Sequence, residues 1–327
     1  MFRYIAKRLI HLIPVLLVIT VVLFALLKLM PGDVVSAYLG TNSNVTPEQR
    51  ENIEEKLGLN DNIVVQYGKW LGRTLTGDFG MSFKFRQPVT EVIGSYIWNT
   101  FLINIIALIL ALFIAIPVGI RSAVKKYGAF DNTWTVFSLI GFSMPSFFFA
   151  LCLIFFVAVP FTPFIPLNGM HDAIKLAIGY DSVWDKVGDV ARHLILPVTV
   201  MTVISLAGFI KYVRNSMLDV IRQDYIRTAR AKGLKEKVVI YRHAFRNALI
   251  PLVTLLGFQI PALFMGAIIL ETVFLWPGIG NILYTSVMDR DIWVVMAANT
   301  FYAALALLGN LLADVCYALV DPRVKTS

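Results

Sequence analysis

The chain has 327 residues, of which 57% are hydrophobic and only 15% charged, whereas a soluble globular protein carries about 25% charged residues. This composition excludes a soluble globular protein and places the chain in a bilayer. A formal net charge of +8 does not by itself indicate nucleic-acid binding, because membrane proteins gather Lys and Arg in their cytoplasmic loops and no basic stripe lies outside such loops here.

Crossing a hydrocarbon core takes about 20 mostly apolar residues. Six stretches qualify: 9–30, 100–120, 135–160, 194–212, 248–270 and 294–320. The first follows Arg3, Lys7 and Arg8 in the manner of a signal peptide. Its apolar run continues to Met30 with no small-residue cleavage site after it, so it is expected to be retained as a span. Between spans one and two, Thr46-Pro47-Glu48-Gln49 combines an N-cap, a first-turn proline and a capping-box glutamine. Gly58 stands where that helix should stop. A second helix is expected from Asn62 to Leu75, with Val64, Tyr67, Trp70 and Leu71 at helical spacing, and Pro88 then opens an amphipathic lead into span two. The segment 31–97 therefore reads as a small helical cap on the outer surface.

Span three is interrupted at Gly141-Phe142-Ser143-Met144-Pro145-Ser146, where proline removes a backbone donor and a kink is expected, for packing rather than gating. Cys152 and Cys316 lie in apolar runs and suggest neither a disulfide framework nor a metal site. Between spans four and five, Asp219 to Lys232 runs without Pro or Gly and Gly233 offers a left-handed stop; a second helical run, 236–248, leads into span five. Two short helices here would make a rigid projection. A basic amphipathic helix resting on anionic lipid is the alternative, but Ala229, Ala231 and Gly233 lack the large apolar face that insertion requires. After span five, 271–280 is read as a compact outer turn shaped by Pro277, Gly278 and Gly280.

Charge sets the orientation. The N-terminus, the loop after span two, the loop after span four (counting Lys211 at the end of that span) and the C-terminus together hold 18 Lys/Arg against five Asp/Glu, and the opposite segments hold ten against fifteen. Both termini are therefore expected in the cytoplasm, with Lys28 reaching back to the outer interface.

No Gly-x-x-x-x-Gly-Lys-Ser/Thr, His-Glu-x-x-His or Gly-x-Ser-x-Gly is present, and the four histidines, His11, His171, His193 and His243, are scattered. Nothing here suggests an enzyme. Asn104, Ser205, Gln259 and Asn299 are candidate translocation-pathway residues, since polar groups facing lipid are costly; hydrogen bonds between helices explain them equally well.

Several segments together carry a family resemblance: Pro31-Gly32-Asp33, Gln66-Tyr67 with Trp70, Gly77-Asp78-Phe79-Gly80, Arg227-Thr228-Ala229-Arg230-Ala231-Lys232-Gly233-Leu234, Glu271-Thr272-Val273-Phe274 with Pro277-Gly278-Ile279-Gly280, and Asp321-Pro322-Arg323. The chain resembles the integral permease subunits of binding-protein-dependent ABC importers, in the oligopeptide, dipeptide and nickel branch, and within it the B-type peptide permeases. The resemblance implies an all-α membrane protein of six transmembrane helices with a type I importer-like permease fold. It divides into 1–30 (N-terminus and first helix), 31–97 (extracytoplasmic segment), 98–320 (five-helix core) and 321–327 (cytoplasmic tail). It also implies a bacterial or archaeal cytoplasmic membrane and a coupling loop, 213–247, whose short helix docks on an ATPase subunit through Asp224, Tyr225, Arg227, Thr228, Ala229, Arg230, Ala231, Lys232, Gly233 and Leu234. The general Glu-Ala-Ala of such loops is replaced by Arg227-Thr228-Ala229, leaving Asp224 as the nearest acid. The implied partners are a homologous second permease, two ATPase subunits and an extracytoplasmic substrate-binding protein, with ATP and Mg on the ATPases and no cofactor on this chain. A nickel or oligosaccharide permease of the same family is the near alternative; a self-contained secondary transporter is the distant one.

Overall fold

The computed structural model describes residues 2–29, 35, 46–162 and 164–320. The Pro31-Gly32-Asp33 and Asp321-Pro322-Arg323 segments and the tail 321–327 lie outside the described residues. In chain order the helices are α1 (Phe2–Leu29), α2 (Pro47–Leu57), α3 (Ile63–Leu75), α4 (Val89–Val124) and α5 (Ala129–Ser143). There follow α6 (Ser146–Ala158), α7 (Ala173–Ile178), α8 (Val183–Ile221), α9 (Asp224–Ala231), α10 (Glu236–Ala262), α11 (Ile268–Val273), α12 (Ile279–Met288) and α13 (Ile292–Val320).

Five of these, α1, α4, α8, α10 and α13, contain stretches long and apolar enough to cross a membrane, and α5 with α6 makes a sixth if that bent pair is one span. The two halves of the pair meet at 104°. The Met144-Pro145 break is therefore a corner, far sharper than an ordinary proline kink. Gly141 lets this corner approach α8 closely, since a Cβ there would lie 3.4 Å from the Ala207 Cβ.

The long pair α4 and α8 forms the spine of the molecule. At about 1.5 Å per residue, their 36 and 39 residues exceed the roughly 30 Å hydrocarbon core. Both therefore project beyond it. Along α4, Ile103, Ala107, Ala111, Ala115, Gly119 and Ala123 recur every fourth residue and are buried. A small-residue ridge of this kind lets two backbones close up, which is how membrane helices gain packing without a hydrophobic drive. The partner face supplies bulk: Leu206, Phe209 and Ile210 fill against Ala111 and Ala115, and Val213 and Met217 continue the seam toward Ile120 and Ala123. At the tightest point a Cβ on Gly119 would meet Val213 side-chain atoms at 2.8 Å. Around this spine α5 packs on α8, α10 on α13 and α8, and α1 on α13.

The outer segment contains the expected pair of short helices. Thr46 Oγ1 accepts from the Gln49 N–H at 3.3 Å, the Gln49 side chain accepts from the Thr46 N–H at 3.1 Å, and Gly58 closes α2 at φ +67°. α3 docks on the membrane helices through aromatic rings, with Trp70 buried against Phe24 and Met296. Tyr67 lies 5.5 Å from the Phe24 ring, and its hydroxyl is 3.0 Å from Thr20 Oγ1. Lys28 finds a protein acceptor, Gln66 Oε1 at 2.5 Å.

Three sequence expectations change. Helical structure leading into span five starts at Glu236 and ends at Ala262 rather than running to residue 270, and the expected outer turn 271–280 overlaps a short helix, α11. The run from Asp219 to Lys232 is not one helix. α8 continues past the expected span to Ile221, Arg222 and Gln223 form a turn, and α9 starts afresh at Asp224. The absence of Pro and Gly hid that break, because a turn at Gln223 needs neither.

Filling the α4–α8 seam should be costly. Gly119→Leu is expected to destabilise the protein by about 1–3 kcal/mol through overpacking, read as a lower denaturation midpoint in detergent, while Gly72→Ala on α3, where a Cβ meets nothing within 4 Å, should leave the midpoint unchanged.

Candidate functional site

Helix α9 and the turn after it form a projection whose inner face is anchored and whose outer face is free. Ile226 and Ala229, three residues apart on α9, are buried against Val239, Ile240 and Ala244 at the start of α10 and against Met217 and Val213 at the end of α8. A π-helical turn, Val239–Phe245, forms this part of α10. The anchoring cluster also takes in Ile120 and Ala123 at the foot of α4, so the projection rests on three long helices at once.

Nine of the ten docking residues named from the sequence, Asp224, Tyr225, Arg227, Thr228, Arg230, Ala231, Lys232, Gly233 and Leu234, are exposed. Ala229 is the exception. It faces the core beside Ile226, a residue the sequence reading passed over, although a lone apolar residue among polar neighbours one turn before an alanine was the available signal.

Charged pairs stiffen the free face. Arg227 Nη1 lies 3.2 Å from Asp224 Oδ1, and the Arg230 guanidinium grips Glu236 with two bonds of 2.8 and 3.2 Å, tying α9 to the first turn of α10. The Arg230 hydrogen bonds hold the Glu236 carboxyl below its usual range. Gly233 has φ +72° with nothing within 4 Å of a built Cβ, so it ends the helix in the left-handed region while leaving the surface beyond it open.

Above this projection, Asp131 on α5 is buried and receives two bonds from Arg214 on α8, Nε to Oδ1 at 2.6 Å and Nη2 to Oδ2 at 2.8 Å. The Tyr127 N–H adds a third at 2.9 Å. This fork joins the α5–α6 corner element to the spine near the anchored loop.

The four pathway candidates do not form one site. The Asn104 side-chain amide donates to the carbonyls of Ala262, Leu263 and Met265 at 3.0–3.3 Å, closing the C-terminus of α10. Asn299 donates to Val295 in its own helix at 2.8 Å. Ser205 and Gln259 are half-buried. Asn104 thus bonds to the end of another helix, and Asn299 bonds within its own.

On the other side of the membrane helices, two polar knots emerge that the sequence did not reveal. Glu271 is buried, with Oε1 accepting from Thr100 Oγ1 at 2.8 Å and Oε2 from the Asn281 N–H at 2.9 Å. Gly278 is required here, because a Cβ would lie 2.4 Å from Oε2 of Glu271. His171 and His193, scattered in sequence, flank Asp189, with ring nitrogens 3.6 and 3.4 Å from its carboxylate. Tyr180 donates to Asp189 at 2.7 Å, and desolvation first, then that bond, pushes its hydroxyl up to about 12. Among the described residues no cluster of three or more His, Cys, Asp or Glu is arranged to hold a metal ion.

Residues 115–326 match the family described as binding-protein-dependent transport system inner membrane component, and residues 1–103 match the N-terminal region of such membrane components. The chain belongs to this family and is a multi-pass membrane permease subunit, with ATP hydrolysis in such importers residing in separate subunits. It is 41% identical over 326 residues to the oligopeptide transport system permease protein AppB of Bacillus subtilis (strain 168), covering 99% of this chain and 100% of that protein. It is 38% identical to the dipeptide transport system permease protein DppB of Alkalihalophilus pseudofirmus, covering 99% and 100%. With DppB of Escherichia coli (strain K12) the identity is 37%, covering 99% of each.

Two substitutions separate backbone from surface at Gly233. Gly233→Ala brings only left-handed strain, of order 1–2 kcal/mol, whereas Gly233→Trp adds bulk to the open face. The alanine variant is expected to retain most transport, and the tryptophan variant to insert normally yet lose transport. Glu236→Gln should raise amide exchange across α9 at neutral pH. In the wild type the same loosening should come only in acid, as pH falls from the ordinary carboxylate pKa of 4.5 through the lower folded value, because a depressed acid contributes above that range and loses its contribution below it.

Proposed function

We propose that the chain is one of two permease subunits of an ATP-driven, binding-protein-dependent importer of di- or oligopeptides. It crosses the membrane six times with both termini in the cytoplasm, the α5–α6 pair counting as one bent span. The supporting observation is the split character of α9: Ile226 and Ala229 are locked into a core shared by α4, α8 and α10, while the opposite face presents Asp224, Tyr225, Arg227 and Lys232 to an absent partner. Peptide cargo is supported by the full-length similarity to proteins named as oligopeptide and dipeptide permeases.

In this reading α9 sits on a cytoplasmic ATPase subunit, a homologous permease supplies the other half of the pathway, and a substrate-binding protein delivers cargo from outside. ATP and Mg are bound by two ATPase subunits and this chain binds no cofactor. ATPase closure moves α9, and the shared core passes that displacement to three helices, shifting the population between inward- and outward-open states according to their differential binding. Asp224, the acid nearest the position of the general loop's glutamate, lies at one end of the docked face. The 271–280 segment lies toward the binding-protein side.

Reconstitution tests the division of labour. In liposomes the chain alone should neither hydrolyse ATP nor move a labelled dipeptide down its gradient; with a second permease, two ATPases and the receptor it should support receptor-stimulated hydrolysis and uptake. Saturable uptake by the chain alone would defeat the reading. For topology, cysteines placed at the exposed positions Asp181 and Lys235 should be labelled in intact cells from outside only at the first.

A further inference from the structure

A cavity of about 160 Å³ opens between the foot of α4, the first half of α5 and the inner half of α8, next to the Asp131–Arg214 fork. Its walls carry an unspent set of polar groups. The hydroxyls of Ser122 and Ser138 are buried, line the cavity and have no hydrogen-bond partner, although a buried donor ordinarily finds one. Arg214 is occupied by Asp131, but Lys211, one helical turn away on the same face of α8, has no ion-pair partner among the described residues. The cavity thus offers two hydroxyl donors and one uncommitted cation, a set suited to an anion.

Thr135 and Asn215 also line the cavity, and the remaining wall is apolar. Trp134 stands on α5 between the fork and Leu139, and Leu139 and Phe142, 60% and 61% exposed, continue the lining along α5 away from the fork. A small anion would use the donors and leave that wall bare. An amphiphile uses both. Trp at the boundary of charge and hydrocarbon is the arrangement favoured at a headgroup level, and a lysine there attracts anionic lipid.

We propose that this cavity binds the headgroup of an anionic phospholipid of the cytoplasmic leaflet. The phosphodiester oxygens meet Lys211 and the Ser122 and Ser138 hydroxyls, and an acyl chain lies along Leu139 and Phe142. The bound lipid would lean on both partners of the fork and so bias how the corner element sits on the spine. The choice of leaflet rests on the topology proposed above; the lipid preference does not, and the cysteine labelling and the lipid measurement fail independently.

The test is native mass spectrometry of the full chain, purified in mild detergent with equal amounts of phosphatidylglycerol and phosphatidylcholine. One phosphatidylglycerol should be retained in preference. Lys211→Gln should weaken that preference about fivefold, the effect of one surface lysine on anionic lipid, and Ser122→Ala with Ser138→Ala should weaken it by removing the donors while melting as the wild type does. Lys125→Gln, an exposed cation outside the cavity, should change nothing. Equal retention of the two lipids, or an unaltered preference in both cavity variants, would overturn the proposal. So would displacement of the lipid by inorganic phosphate, which would assign the cavity to a free anion.

Discussion

The close approach of α4 and α8 is the constraint on which the rest of the molecule depends. In a bilayer, lipid tails are as apolar as leucine, so two helices stay together only if their surfaces fit better with each other than with lipid. Ala107, Ala111, Ala115 and Gly119 create that fit by removing side-chain volume along one stripe, and Leu206, Phe209, Ile210 and Val213 fill the space left. Once the two helices are joined over the depth of the membrane, their protruding ends become fixed platforms. One end carries the α9 loop. Near the other, Asn99 and Thr100 on α4 meet the 276–281 segment, with Trp276 Nε1 donating to the Asn99 carbonyl at 3.1 Å and the Ile279 N–H to Thr100 Oγ1 at 2.9 Å.

The α9 projection is held firmly at its base. The α9 base is a dry cluster of mostly small and β-branched side chains, and the Arg230–Glu236 fork and the left-handed Gly233 set where the projection ends. The exposed ion pairs add little stability, since solvent screens them; their effect is on orientation. The Asp131–Arg214 fork is different, because Asp131 is buried and removal of either partner would leave an uncompensated charge. It fixes the bent α5–α6 element against α8.

The two outer knots follow the same logic in polar form. Glu271 accepts from a hydroxyl on α4 and a backbone N–H at the start of α12, and Gly278 exists to admit that carboxylate. Asp189 collects Tyr180 and brings two histidines near it, fastening the segment before α8 to its first turns. In each case one buried carboxylate replaces what would otherwise be several unpaired donors around an irregular stretch of backbone.

Much of this was legible in the chain itself. Hydropathy over windows of about 20 residues marks the membrane helices, because a bilayer tolerates only backbone that satisfies its own hydrogen bonds; local caps such as Thr46 with Gln49, and stops such as Gly58 and Gly233, act within one helical turn and can be read there. The free face of α9 was legible for the same reason, being a run of short-range features. What only the tertiary structure decided involves partners far apart in sequence: that Ala229 turns inward, that Asn104 bonds the carbonyls at the end of α10, that His171 and His193 flank Asp189, and that Arg214 meets Asp131. Side-chain direction across a seam depends on how two helices are rotated about each other. That rotation is set by the alanine and glycine ridge of α4 fitting one face of α8, a fit that exists only once both helices are in place.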